Sequence, residues 1–218
     1  MEKHWFLFWG FLIAWGTALP GYTQLDESKL TWRPEQGISL NGITDYYVVE
    51  STGDLDLMQI TVEAWVRFRD NTGQQQVIGW GPAAQYFTHY ANNGEYRFLI
   101  ENVGVNYNSA TAPVPPVNTW VHITGTYDEN VIRLYYNGIL VDETGFPGLL
   151  GTGIDPIVIG ALQPGERHLK GVVENIRIWN RALSETEITA LLATSPEEEN
   201  LAEMKNQGLV AYWSSRSQ

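Results

Sequence analysis

Between Trp80 and Tyr96 the chain reads WGPAAQYFTHYANNGEY, a stretch that gathers the groups needed to hold a sugar. A pyranose stacks its apolar face on an aromatic ring while amides and acids take its hydroxyls. Trp80, Tyr86, Phe87, His89 and Tyr90 supply rings, Asn92 and Asn93 supply amides, and Tyr107 with Asn108 could join them from the next loop. The same rings also suit a protein core or the cover of a sheet face. For Trp80 and Phe87 that packing role outweighs the ligand role; for Tyr86, Tyr90 and Tyr107 the two stand level. Trp80, Tyr86, Tyr90, Asn92 and Tyr107 are the candidate sugar-binding residues.

Signatures of catalysis are missing. The chain has no G-x-S-x-G, H-E-x-x-H or Gly-rich phosphate loop. Its histidines (His4, His89, His122, His168) are scattered, and His122 in WVHITGTY reads as a strand residue with a satisfied hydrogen bond. Asp54 and Asp56 flank Leu55, so on a strand they would point to opposite faces; both read as loop residues. Cysteine is absent, which excludes disulfides, thiolate zinc sites and cysteine nucleophiles. A formal net charge of −12 argues against nucleic acid and anionic membranes as partners.

The elements that must position these residues are strands. With 218 residues, 44% of them hydrophobic, the chain can bury a core in one large domain. Ile60–Phe68, ITVEAWVRF, alternates cleanly, with Ile60, Val62, Ala64, Val66 and Phe68 on one face and Thr61, Glu63, Trp65 and Arg67 on the other. Shorter strands are expected at Gly37–Leu40, Tyr46–Val49, Gln76–Trp80, Tyr96–Ile100 and Ile157–Ile159. Trp120–Tyr127, Ile132–Tyr136 and Ile139–Asp142 form a meander whose second turn, Asn137-Gly138, is a strong hairpin signal. Pro113, Pro115 and Pro116 shape an edge loop.

The segment GVVENIRIWNRALSETEI, Gly171 to Ile188, changes character midway. A strand at Val172–Trp179 is followed by Ser184 and Glu187, spaced as a capping box that starts a helix. A second helix start follows at Ser195-Pro196-Glu197 and should end at Gly208; Leu209–Trp213 is again strand-like. The acidic helix bearing Glu197–Glu199 and Glu203 reads as a solvated face. At the other end, WFLFWGFLIAW (Trp5–Trp15) is too short for a spanning helix, which needs ~20 apolar residues. It reads as an export signal over residues 1–23, cleaved after Ala18 or Thr23, with an uncleaved anchor as the alternative. The domain then runs 25–213 with a tail at 214–218, and the protein is expected to be secreted, periplasmic or at the cell surface.

Four segments, GISLNGITDYYVV, ITVEAWVRF, NTWVHITGTYDENVIRLYYNGILV and GVVENIRIWNRALSETEI, followed by GLVAYW, resemble in order the motifs of the concanavalin A-like lectin/glucanase superfamily, in its laminin-G-like and pentraxin-like branch. The resemblance implies an all-β antiparallel jelly-roll β-sandwich with one or two short C-terminal helices. Trp65, Trp120, Trp179 and Trp213 fall at core positions of that family. Glucanases of this fold carry E-x-D-x-E or E-x-D-x-x-E on one strand, so that paired carboxyls face the cleft; neither occurs here. Relatives in this branch commonly hold a structural calcium ion, which takes six to eight oxygens from separate loops. The resemblance places Glu174 as its foremost ligand, with Asn41 and Asp45 beside the opening turn and Asp128 at a meander turn. Each also has a plain role: Asn41 and Asp128 as turn residues, Glu174 as a solvated strand residue. Two functions are therefore expected as alternatives. One is an exported, non-catalytic module binding a polysaccharide or glycoconjugate through loop aromatics. The other is a structural or adhesion domain that contacts an extracellular protein and has no sugar site.

Overall fold

The computed structural model describes residues 34, 36–49, 57–80, 87–92, 94–104, 106–151, 156–162, 166–193 and 200–215; of Phe87 and Thr88 only the backbone is described. The export signal expected at 1–23 lies outside them. Two antiparallel sheets stack as a sandwich. One has the order β1 (Ile38–Asn41), β12 (Lys170–Trp179), β3 (Ile60–Phe68), β8 (Val121–Tyr127), β9 (Val131–Tyr136), β10 (Ile139–Gly145), with β13 (Leu209–Trp213) also paired to β12. The other runs β2 (Tyr47–Val49), β11 (Ile157–Ile159), β4 (Gln74–Trp80), β5 (Phe87–Asn92), β6 (Glu95–Glu101), β7 (Tyr107–Pro113). This is the all-β jelly-roll expected from the sequence.

The core between the sheets follows from strand alternation. Ile60, Val62, Val66 and Phe68 of β3 meet Tyr96, Phe98 and Ile100 of β6, all fully buried. Gly125 on β8 sets the close approach: a Cβ there would lie 2.2 Å from the Phe98 ring. At the sandwich edge the Asp142 carboxylate of β10 accepts the Thr111 N–H of β7 at 2.7 Å, which ties the two sheets and covers a donor on an edge strand.

Two strands were not legible. β5 and β7 both fall in stretches that read as loops. In β7 the inward residues are Ala110 and Ala112, both buried. Small side chains suffice there because larger rings from the facing sheet fill the space. The Tyr136 hydroxyl donates to Pro113 O at 3.1 Å. β5, FTHYAN, carries the composition of a turn yet makes a full ladder with both neighbours.

Part of the outer face of the seven-stranded sheet is also buried, under α1 (Glu185–Leu192) and α2 (Leu201–Asn206). The capping box forms as spaced: the Glu187 N–H donates to Ser184 Oγ, and the Ser184 N–H donates to Glu187 Oε2. The second helix start expected at Ser195–Glu197 lies outside the described residues; the described helix is capped by Asn200, whose Oδ1 accepts from Glu203 N. Beneath the helices, Trp179, Leu183, Ile188, Met204 and Leu209 form one apolar cluster. Trp65, Trp120, Val172 and Leu192 form another. Those three tryptophans therefore belong to this second layer and not to the core between the sheets: Trp65 and Trp179 occupy outward positions of β3 and β12, and Trp120 immediately precedes β8. Trp213 packs in part against the main core.

Glu63, on that outer face of β3, is fully buried among partners. Its Oε1 accepts from Arg177 Nη1 at 3.0 Å and Trp179 Nε1 at 3.3 Å, and its Oε2 lies 3.0 Å from His122 Nε2. Burial alone would raise its pKa, but the Arg177 charge and the His122 hydrogen bond bring it down to about 2. His122 Nδ1 is 3.3 Å from the Thr124 hydroxyl. His122 thus has partners in the meander, as the sequence suggested, and in addition a buried carboxylate.

Candidate ligand face of the six-stranded sheet

Register sets which side chains share the outer face of the second sheet. Gln76 pairs with Tyr90, Tyr90 with Arg97, and Arg97 with Thr111, a row across β4, β5, β6 and β7. The neighbouring row is Gln74, Asn92 and Glu95. Residues inward of these, His89, Phe98, Ala91 and Tyr96, are buried, so both rows face away from the core.

Tyr90 sits at the centre. Its ring has the Arg97 guanidinium carbon 6.0 Å and the Arg167 guanidinium carbon 5.7 Å from its centroid. Arg97 Nη1 is 3.5 Å from the Tyr90 hydroxyl, and Arg97 Nε donates to Glu95 Oε2 at 2.7 Å. Arg167 Nε donates to Gln74 Oε1 at 3.1 Å. Tyr90 is only 8% exposed, so it does not offer a bare ring for a sugar to stack on. It is a support for two cations. Asn92 is half-buried, and its Oδ1 is enclosed without a hydrogen-bond partner among the described residues.

The remaining expected sugar ligands fare differently. Trp80 is fully buried in the core between the sheets and offers no face to solvent. That corrects its place among the candidates; the alternation of β4 turns it inward. Tyr86 and Asn93 lie outside the described residues. Tyr107 is 72% exposed but pairs with Glu101, four residues along β6 from Arg97, or roughly 13 Å. The structure does not bring it to Tyr90. Arg97, Arg167, Gln74 and Thr111 were missed. Alternation through β6 could have found Arg97. Nothing local marks Arg167, which arrives from the loop before β12.

The calcium candidates are not assembled into one site. Asn41 pairs with Lys170, while Ile38 pairs with Val173, so Glu174 lies beyond the opposite end of β1. Its carboxylate accepts from Ser214 Oγ and Ser215 N. Glu174 is therefore neither solvated nor open to an ion, and Ser214 and Ser215 fold back on the domain although the sequence put them in a tail. Asn41 Oδ1 is used by the N–H groups of Ile43, Thr44 and Asp45. The Asp45 carboxylate takes Asn41 N and Nδ2. Asp128 caps its turn through Asn130 N and Val131 N and pairs with Arg133 at 2.7 Å. These carboxyls are committed to donors, so as arranged they do not fit an ion that needs six or more free oxygens. Among the described residues, no three His, Cys, Asp or Glu side chains cluster as a metal site.

Catalytic pairing can be tested on the same face. Glu95 and Glu101 are six residues apart on β6 and thus about 20 Å apart, where the paired carboxyls of glycoside hydrolysis stand ~5–10 Å apart. A separate cavity of about 280 Å³ lies between α1 and α2, lined by Trp179, Leu183, Leu191 and Met204. Of its charged groups, Arg181 and Glu187 are paired at 2.7 Å and Glu203 accepts from Gln207 Nε2, as expected of a packing seam. No helix among the described residues is long and apolar enough to cross a membrane.

Known proteins match this architecture. A zebrafish (Danio rerio) adhesion G-protein coupled receptor V1 is 24% identical over 147 residues, which is 62% of this chain and 2% of that receptor. The chain thus spans a small fraction of its curated relative. A Bacteroides ovatus protein assigned to carbohydrate binding superposes with TM-score 0.60 at 18% identity, covering 84% of this chain and 52% of that one. The receptor binding domain of botulinum neurotoxin D gives 0.59 at 16%, covering 70% and 42%. A heptameric pentraxin of Limulus polyphemus gives 0.55 at 13%, covering 72% and 80%. The laminin-G-like model of the concanavalin A-like lectin/glucanases superfamily matches residues 41–189, most of the chain from the turn after β1 into α1, and the chain belongs to that family.

Proposed function

We propose that this domain is an extracellular, non-catalytic module that binds a glycan on the outer face of its six-stranded sheet, around Tyr90. The observation that carries this is the Tyr90 ring flanked by two guanidiniums, with Gln74, Asn92 and Thr111 around it. Forked N–H donors and amides are the groups that read sugar hydroxyls and acids. The likeness to a protein assigned to carbohydrate binding points the same way.

The test is a polysaccharide panel probed with the wild-type domain, Tyr90→Ala and Arg97→Ala, each checked for an unchanged melting temperature. Loss of binding in both folded variants supports the face. Unchanged binding refutes it.

A second reading has its own observation. Val103 (62% exposed), Tyr107 (72%) and Leu149 (49%) are exposed at one hairpin end, where Val103 N donates to Leu149 O. An apolar patch of this kind suits a protein contact, and the adhesion-receptor relative is in keeping with it. If no glycan binds and Tyr107→Ser abolishes capture of a protein partner, the domain is an adhesion module.

A further inference from the structure

We propose that the ligand of this face is an acidic glycan, bearing carboxylate or sulfate groups, and that Arg167 recognises them; this rests on the glycan-binding face proposed above. Arg167 is held in place by strain and by its neighbours. Its φ of 53° is left-handed, a region that a long non-glycine side chain adopts only under constraint. The constraint is visible. Arg167 O accepts Gln76 N–H at 2.7 Å, Leu169 N–H donates to Gly160 O at 2.8 Å, and Lys170 N–H donates to Gln75 Oε1 at 2.9 Å. These bonds lay the segment across the end of β4 and turn the side chain onto Tyr90.

The guanidinium is then poised but uncommitted. Arg97, Arg133, Arg177 and Arg181 each have a carboxylate partner. Arg167 has none among the described residues. Its Nε is used by Gln74 and its ring-side face by Tyr90, which leaves the terminal nitrogens as a planar pair of donors. Arg67 and Arg69, which also lack a carboxylate among the described residues, belong to the other sheet: Arg67 covers Trp120 and Arg69 bonds Ser39. A planar fork with a fixed orientation matches a carboxylate or a sulfate, whereas a neutral hydroxyl needs only one donor. The overall charge of −12 does not oppose this at close range. At physiological ionic strength charges more than about 8 Å away are largely screened, so an acid seated on the Arg167 fork feels that guanidinium far more than the charge of the whole chain.

The experiment is calorimetric titration of the domain with trigalacturonate, a chondroitin sulfate hexasaccharide and neutral cellohexaose, at low and high salt. It is repeated with Arg167→Gln, Arg167→Lys and Arg167→Gly. The two acidic probes separate carboxylate from sulfate. We expect at least one acidic probe to bind at least tenfold tighter than cellohexaose, with affinity falling in salt. Arg167→Gln should lose tenfold or more, and Arg167→Lys should recover only part of it. Arg167→Gly relieves the left-handed strain, so it should hold or raise the melting temperature while losing the acidic ligand, which a purely structural arginine would not do. Cellohexaose bound as well as the acids, with Tyr90→Ala but not Arg167→Gln abolishing it, overturns the acidic specificity and leaves the glycan face standing. No binding by any probe overturns both.

Discussion

Acid should weaken this domain through one residue in particular, His89. It sits on β5 facing inward, 2% exposed, with its ring stacked 4.5 Å from Phe98 and tilted against Tyr96 at 5.8 Å. Its Nε2–H donates across the sandwich to Val62 O at 3.1 Å. Its Nδ1 is enclosed with no partner among the described residues, so a second proton there would be a donor with no acceptor among them. Burial therefore pushes its pKa down, the Val62 bond opposes this in part, and the result falls from 6.5 to about 3. Above pH 6.5 the ring is neutral in both folded and unfolded chains, and the fold keeps its full stability with respect to this group. As pH falls from 6.5 toward 3, the unfolded chain takes a proton that the folded one refuses. Stability then drops by up to about 1.4 kcal/mol per pH unit, and by about 5 kcal/mol across the window. A domain holds only ~5–15 kcal/mol in all, so the effect is large. Urea unfolding of wild type and His89→Gln at pH 7, 6, 5 and 4 isolates it, because all other titrating groups are shared. The wild-type advantage at pH 7 should shrink by more than 1 kcal/mol per unit below pH 6. Parallel stability curves for the two proteins would refute the reasoning.

Glu63→Gln leaves the Arg177 charge buried without its carboxylate and should destabilise by about 3–5 kcal/mol in the same assay; a loss under 1 kcal/mol would mean that the network relaxes into solvent. In the wild type the Glu63 contribution is complete above pH 4.5 and is lost as pH falls toward 2, which adds to the His89 effect only below pH 4.5. Gly125→Ala drives a methyl to 2.2 Å from the Phe98 ring and should lower stability by about 1–3 kcal/mol, read as a fall in the urea midpoint. Excess calcium or chelator should leave the melting temperature unmoved, since Glu174, Asn41 and Asp45 spend their oxygens on protein donors. A rise of several degrees with calcium would show that these groups rearrange around an ion.

What was legible in the sequence was whatever left a local pattern. β3 and β13 have the expected bounds, and Ser184 caps α1 as its spacing with Glu187 required. β5 and β7 escaped because FTHYAN and YNSATAP lack apolar periodicity; their strands are set by pairing with β6, a tertiary effect. The ligand face was half legible. Tyr90 and Asn92 were singled out by residue type, but Tyr90 supports cations and does not stack a sugar. Trp80 stood among the ligand candidates although its packing role was favoured; it ends the expected strand Gln76–Trp80, which points it into the core. Arg167 carried no signal at all, since its role depends on a left-handed turn and on contacts with strands far away in the chain.

Backbone amide shifts of the labelled domain, followed by NMR as trigalacturonate is added, test the central claim most directly. Changes are expected at Tyr90, Asn92, Arg97 and Thr111 together with the side-chain Nε–H of Arg167. Changes confined to Val103, Tyr107 and Leu149, or to Trp179 and Met204 between the helices, would place the ligand elsewhere and contradict it.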